Sequence, residues 1–162
     1  MFGQSVLSQT AMSMTKANLE ETGRQRQWAY KLFSRQRRRG SLVRMWNMLT
    51  GQNVQLHGLH EHISSTAESQ GAGGLRTINL QQITGSEGRA DDFDAAFCPL
   101  QSHTRDRWVS VATAMLTGVP LPPVELLQIG QEYFVRDGHH RISVARALGQ
   151  KAIDAIVTVP NS

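Results

Sequence analysis

The sequence predicts an α+β fold, a mixed sheet of about four strands with helices packed on it, preceded by a basic helical N-terminal arm. Three observations carry this expectation. Short apolar runs bounded by turn residues recur at 76–80, 124–129, 132–136 and 153–159, which is the patterning of strands. Between them lie two segments, Thr104–Thr117 and Ile142–Leu148, whose apolar residues fall at helical spacing. Basic residues are concentrated early: from Lys16 to Gly51 nine lysines and arginines stand against only Glu20 and Glu21, although the whole chain carries +4. Such asymmetry points to a polyanionic partner for the arm.

A length of 162 residues with 40% hydrophobic content suits one domain of ordinary size with an appendage. Met1–Met14 has no cationic stretch ahead of a sustained apolar core, so a mobile tail is expected there rather than a secretory signal. No apolar run is long enough to span a bilayer, and no membrane partner is expected. The single cysteine, Cys98, excludes an intramolecular disulfide framework and fits a reducing compartment, with the cytoplasm as the default. The expected organisation is a tail at 1–14, a basic helical arm at 15–70, a glycine-rich connector at 71–74 and the main domain at 75–162.

Within the arm, Trp28, Ala29, Leu32 and Phe33 form one apolar cluster, and Leu42, Met45, Trp46 and Leu49 follow at i, i+3, i+4, i+7. Gly40-Ser41 reads as a C-cap glycine followed by an N-cap serine, which predicts two helices with a tight joint, the second ended by Gly51. The Arg35, Arg37, Arg38 and Arg39 run at that joint suits nucleic-acid phosphates, in a contact that would be strongly salt dependent. The competing reading is a helical clamp whose apolar stripe packs on the main domain while its arginines face water. Next come His57, His60, Glu61 and His62. On a helix His57 and Glu61 would share a face, but Gly58 weakens a helix and the order is not that of a zinc hydrolase, so no metal site is assigned. Gly71-Ala72-Gly73-Gly74 lacks the lysine of a Walker loop and reads as a flexible connector.

The main domain opens with a strand at Arg76–Leu80, and Gln81–Gly85 and the polar loop Ser86–Asp94 follow. Trp108, Val111, Ala112 and Met115 make the buried stripe of the Thr104–Thr117 helix, and Gly118 ends it. Pro120, Pro122 and Pro123 keep that helix from continuing. A hairpin joins Val124–Ile129 to Glu132–Arg136 through Gly130-Gln131. After Asp137-Gly138 comes a second helix, closed by Gly149, and then a last strand at Ile153–Val159. Trp108 and Phe134, at helical and strand spacing, are expected in the core and not as base-stacking platforms.

The turn at 137–141 is where chemistry is expected. A strand running into a helix start places backbone N–H groups and the positive end of the helix dipole at the turn. With His139, His140 and Arg141 there, it reads as a phosphate or carboxylate cradle. Arg141 offers a planar fork for phosphate oxygens, and Arg89 would approach from the facing loop. His139 and His140 are suited to donating to phosphate or exchanging a proton near neutral pH. Asp137 would orient a histidine or hold Mg2+ beside a triphosphate. The alternative is that Asp137 and Gly138 only cap the helix, with Arg141 paired to Asp91, Asp92 or Asp94.

Over roughly residues 75–159 these segments resemble the ParB/sulfiredoxin superfamily. Ile78–Ile83 looks like the opening strand and turn of ParB N-terminal domains, and Arg89 with Asp92-Phe93-Asp94 resembles the segment that comes next there. Leu121–Leu126 is similar to the strand after the first helix, and Gly138-His139-His140-Arg141 to the family's Gly-Glu-Arg-Arg phosphate motif and the Gly-Cys-His-Arg of sulfiredoxins. Sulfiredoxins use a cysteine where this chain has His139, and Cys98 lies elsewhere, so that activity is not expected. ParB proteins bind CTP between this domain and a downstream helix-turn-helix module, which is not found before Ser162. The free-serine kinases carry an Asp-Gly-His motif, matched by Asp137-Gly138-His139, and a glutamate general base after the first strand, for which Glu87 is the candidate. The resemblance thus implies a nucleoside triphosphate, CTP or ATP with Mg2+, held by Arg89, Gly138, His139, His140 and Arg141. In an NTPase or kinase, Glu87, Asp137 and His139 would be catalytic. Three functions stand: a ParB-like nucleotide-binding protein associated with DNA through its arm, a small-molecule kinase or phosphohydrolase, and a non-catalytic scaffold whose arm forms a homo-oligomer.

Overall fold

A single helix, α1, runs from Gly3 to Thr50 and passes straight through Gly40-Ser41, so the expected joint between two helices does not exist. The computed structural model describes residues 3–50, 57–58, 74–88 and 91–160, with backbone alone at 3–14, 47 and 57–58. Gly40 is required for a reason other than a turn. It is buried, and a Cβ there would stand 3.2 Å from Cys98 Cβ, 3.3 Å from Asp94 Oδ2 and 3.4 Å from Leu100 Cδ2. The glycine lets α1 approach the loop at 92–100, and Ser41 donates its hydroxyl to the Arg37 carbonyl at 3.0 Å within the helix instead of capping one. Residues 3–14, read as a tail, belong to the same helix.

Gly40→Ala separates the two explanations by sign. Helix propensity alone would stabilise α1 by about 1 kcal/mol. Crowding against three neighbours is expected to reverse this, leaving a net loss of about 1–2 kcal/mol. A urea titration measures it, and a gain in stability would return Gly40 to a merely local role.

Layers build from α1 inward. Ala29 and Phe33 of α1 pack on Trp108, Val109 and Ala112 of α2, Arg105–Leu116, together with Val144 of α3, His139–Ala147. The opposite side of α3 sends Ile142 and Ala145 into the sheet core with Val124, Leu126, Tyr133 and Val135. Trp108 and Phe134 are core residues, as their spacing predicted. Val109 is buried although the expected stripe left it out, whereas Val111 and Met115 are half-buried.

The sheet has the order β1-β3-β5-β4-β6-β2. Its strands are β1, His57–Gly58; β2, Gly74–Asn79; β3, Ile83–Ser86; β4, Val124–Ile129; β5, Glu132–Asp137; and β6, Ala152–Thr158. It is mixed: β3 runs parallel to β1 and β5, β4 parallel to β6, and the β4–β5 and β2–β6 pairs are antiparallel. The hairpin, β2 and β6 fall where the apolar runs placed them, to within two residues. β3 adds to the strands that the apolar runs mark. Its four residues, Ile-Thr-Gly-Ser, are too few to show alternation, and parallel pairing to β5 holds them extended. Gly74, given to the connector, opens β2. Residues 71–73 lie outside the described residues, as do His60, Glu61, His62 and the side chain of His57.

The apolar residues of α1 divide. Ala29 and Phe33 pack as a clamp would, while Leu42, Met45, Trp46 and Leu49 are exposed, from 57% at Met45 to 77% at Leu49. No helix among the described residues is long and apolar enough to cross a membrane.

Candidate functional site

Parallel pairing of β3 and β5 brings the two polar stretches singled out in the sequence to one corner. Ser86 pairs with Val135, and the Glu87 N–H donates to the Val135 carbonyl at 3.0 Å. Two residues further, β5 ends at Asp137 and Gly138 turns the chain into α3 with φ 98° and ψ 20°. That left-handed conformation suits glycine, and the buried site leaves no room for a side chain. The first-turn N–H groups of α3 therefore face the ends of two parallel strands, the usual side for ligands in such sheets.

At this corner Ser86 Oγ lies 2.7 Å from His139 Nε2, with both residues buried. The Gly88 N–H donates to the same hydroxyl at 3.3 Å. Phe93 forms the lid of the pair: its ring stacks on His139 at 6.1 Å and 18°, and meets His140 edge-on at 5.4 Å and 86°. The loop carrying Phe93 is fixed by its own hydrogen bonds. Asp94 Oδ1 accepts from the Cys98 N–H at 2.7 Å, and the Phe97 N–H donates to the Asp94 carbonyl at 2.8 Å.

Glu87 is near the corner but tied to Arg136, whose Nε donates to Glu87 Oε2 at 2.8 Å. Arg141 is also committed. Its guanidinium donates to the carbonyls of Pro122 and Pro123 and pairs with Asp137 Oδ2 at 2.5 Å. Instead of an ion pair with Asp91, Asp92 or Asp94, Arg141 makes bonds that tie the proline segment to the start of α3. Of the residues singled out, Glu87, Asp137, Gly138, His139 and His140 are thus brought together, and Arg141 is directed to the segment before β4. Arg89 lies outside the described residues. Arg35, Arg37, Arg38 and Arg39 lie on the exposed surface of α1.

Sequence reasoning missed Ser86 and Phe93. The available signals were a serine directly after Gly85 and an aromatic residue set between Asp92 and Asp94 in an otherwise polar loop. Cys98 is unsuited to nucleophilic work near neutral pH. Burial, with help from the Asp94 carboxylate, pushes its thiol up to about 11. Burial also raises the Asp94 carboxyl above its ordinary range.

No protein-family model matches the chain, and no curated protein does. Among solved structures, it is similar to the crystal structure of sulfiredoxin from Arabidopsis thaliana at 14% identity, with 52% of this chain and 83% of that one covered and a TM-score of 0.40. It is also similar to a conserved hypothetical protein from Pyrococcus furiosus at 22% identity and a TM-score of 0.38, which covers 51% of this chain and 31% of that one.

Proposed function

We propose that this protein binds a phosphate-bearing nucleotide, a nucleoside triphosphate such as CTP or ATP, at the corner between the end of β3 and the start of α3. The observation that supports it is the convergence of Ser86 and Glu87 with Gly138, His139 and His140 at a helix N-terminus. Among the described residues the donor set suits the phosphate part of the ligand through backbone N–H groups and imidazole, with Arg141 engaged by Pro122 and Pro123. Among the described residues no group of three or more metal-ligating side chains is assembled. Mg2+ would therefore arrive on the phosphates, with Asp137, 60% exposed, as its carboxylate. There it would neutralise phosphate charge.

A thermal-shift panel of nucleotides with and without Mg2+ tests this. At a nucleotide concentration about 100 times Kd, a shift of about 5–10 °C is expected. Asp137→Asn, at an exposed position, is expected to remove the Mg2+-dependent part of the shift. No shift with any nucleotide refutes the reading. The kinase-type alternative keeps the same corner and adds turnover, with Glu87 as base. Product formed from ATP and Mg2+ by the wild type and lost in Glu87→Gln would establish it, and no product from the wild type leaves binding alone.

A further inference from the structure

Away from that corner, α1 and the α/β unit enclose a groove of roughly 1140 Å3. Four cations line it from three places in the fold: Arg35 and Arg39 of α1, Arg146 of α3, and Lys151 in the turn before β6. No aspartate or glutamate is among the lining residues described. Amides complete the polar wall, among them Gln36 and Gln81.

Burial works against the charge of Arg146, and the nearby Asp94 carboxylate offsets it in part. None of the four forms an ion pair with a carboxylate among the described residues. Arg146 is held in place by neutral acceptors, the carbonyls of Leu80 at 2.6 Å, Ile83 at 2.8 Å and Ala95 at 3.3 Å, and its guanidinium lies 4.6 Å over the Phe97 ring. That is a preorganised cation on one wall, facing exposed arginines on the other. Asp94 is bonded to the Cys98 backbone and close against Gly40, and it does not line the groove.

The positive surface does not stop at the groove. Lys31, Arg35, Arg38 and Arg39 line a second concavity along α1 beside Tyr30. From Lys31 to Arg39 the helix rises about 12 Å, several times the axial rise of about 3.4 Å between phosphates on one strand of a duplex.

We infer that the groove between α1 and the α/β unit is a nucleic-acid site that holds a strand by its backbone phosphates through Arg35, Arg39, Arg146 and Lys151. This goes beyond an arginine-rich helix face. It enlists two residues of the α/β unit and leaves out Arg37, which does not line the groove. It is also independent of nucleotide binding at the β3–α3 corner.

The test is fluorescence anisotropy of the full chain with a short labelled single-stranded DNA and its duplex, over about 50 to 200 mM salt. Binding is expected to weaken steeply with salt. Arg39→Gln and Lys151→Gln, both at exposed positions, should each weaken it about 5–10-fold and lower the salt slope by about 1, while Arg37→Gln, with the same change in charge, alters neither. The relative strength of the single-stranded and duplex arms names the form of strand held. No binding at low salt, or equal weakening by Arg37→Gln, overturns the inference. So does complete displacement by inorganic tripolyphosphate at matched phosphate concentration, which assigns the groove to a small polyanion. Because the thermal shift with nucleotide is read separately, failure of one site leaves the other standing.

Discussion

Replacing Trp108 with alanine is expected to cost about 3–5 kcal/mol of stability and to loosen α1 from the α/β unit. Trp108 is fully buried and sits where three helices meet. Its ring takes the edge of Phe33 at 5.6 Å and 61°, which attaches α1. Its indole N–H donates to Ser143 Oγ at 2.9 Å, which attaches α3. Truncation leaves a cavity beneath α1 and a buried hydroxyl without its donor, and both effects have the same sign. Trp108→Phe separates them, since it keeps most of the volume and loses only the hydrogen bond, with an expected cost of about 1–3 kcal/mol. Urea unfolding gives the magnitudes. Limited trypsinolysis gives the structural consequence, with cleavage at Arg35–Arg39 accelerating more than cleavage within the sheet. A Trp108→Ala protein that unfolds at the wild-type urea midpoint would show that the helical layers are not joined through this residue.

The elements legible in the sequence are those whose signals are local. β4 and β5 announce themselves by an apolar run, Gly130-Gln131 and a second apolar run, and α2 by Trp108 and Ala112 at helical spacing between polar residues. What escaped depends on partners supplied from far along the chain. β3 is a strand because β5 lies beside it, and nothing in Ile83-Thr84-Gly85-Ser86 alone distinguishes it from a turn. Gly40 followed by serine carries the same letters as a helix joint, and only the Asp94–Leu100 loop pressed against it shows that the glycine serves close approach.

The candidate site divides in the same way. Asp137-Gly138-His139 was legible as a turn into a helix, because glycine and a switch in periodicity are local features. The partners of its side chains were not. Arg141 was expected on phosphate or on an aspartate of the facing loop, yet it donates to Pro122 and Pro123 carbonyls. A segment with two adjacent prolines lacks two N–H donors but keeps its carbonyls, so it presents an excess of acceptors for a guanidinium to satisfy. Glu87, read as a base, is similarly engaged by Arg136 from the neighbouring strand.

The largest backbone effect is expected at the opening of that turn. Gly138→Ala should cost about 3–5 kcal/mol, from two sources that can be separated. At φ 98° any side chain is strained, which accounts for about 1–3 kcal/mol. A Cβ would also stand 2.5 Å from Val124 Cγ1 and 2.8 Å from Val124 Cβ, with Arg141 Cζ at 3.2 Å on another side. Val124 is fully buried on β4, packed in the core with Ile142 of α3, so it has nowhere to retreat. Val124→Ala alone leaves a cavity and costs stability too. In the double variant the alanine methyl at 138 occupies part of that space, so the two costs should fall short of additivity by about 1–2 kcal/mol. The cost of Gly138→Ala that remains in the Val124→Ala background measures the φ strain, because no change at position 124 relieves it. Strictly additive costs would mean that α3 absorbs the methyl by moving. In that case the Ser86–His139 contact, which fixes the corner to β3, would be lost as well, and the nucleotide-induced thermal shift should fall with it.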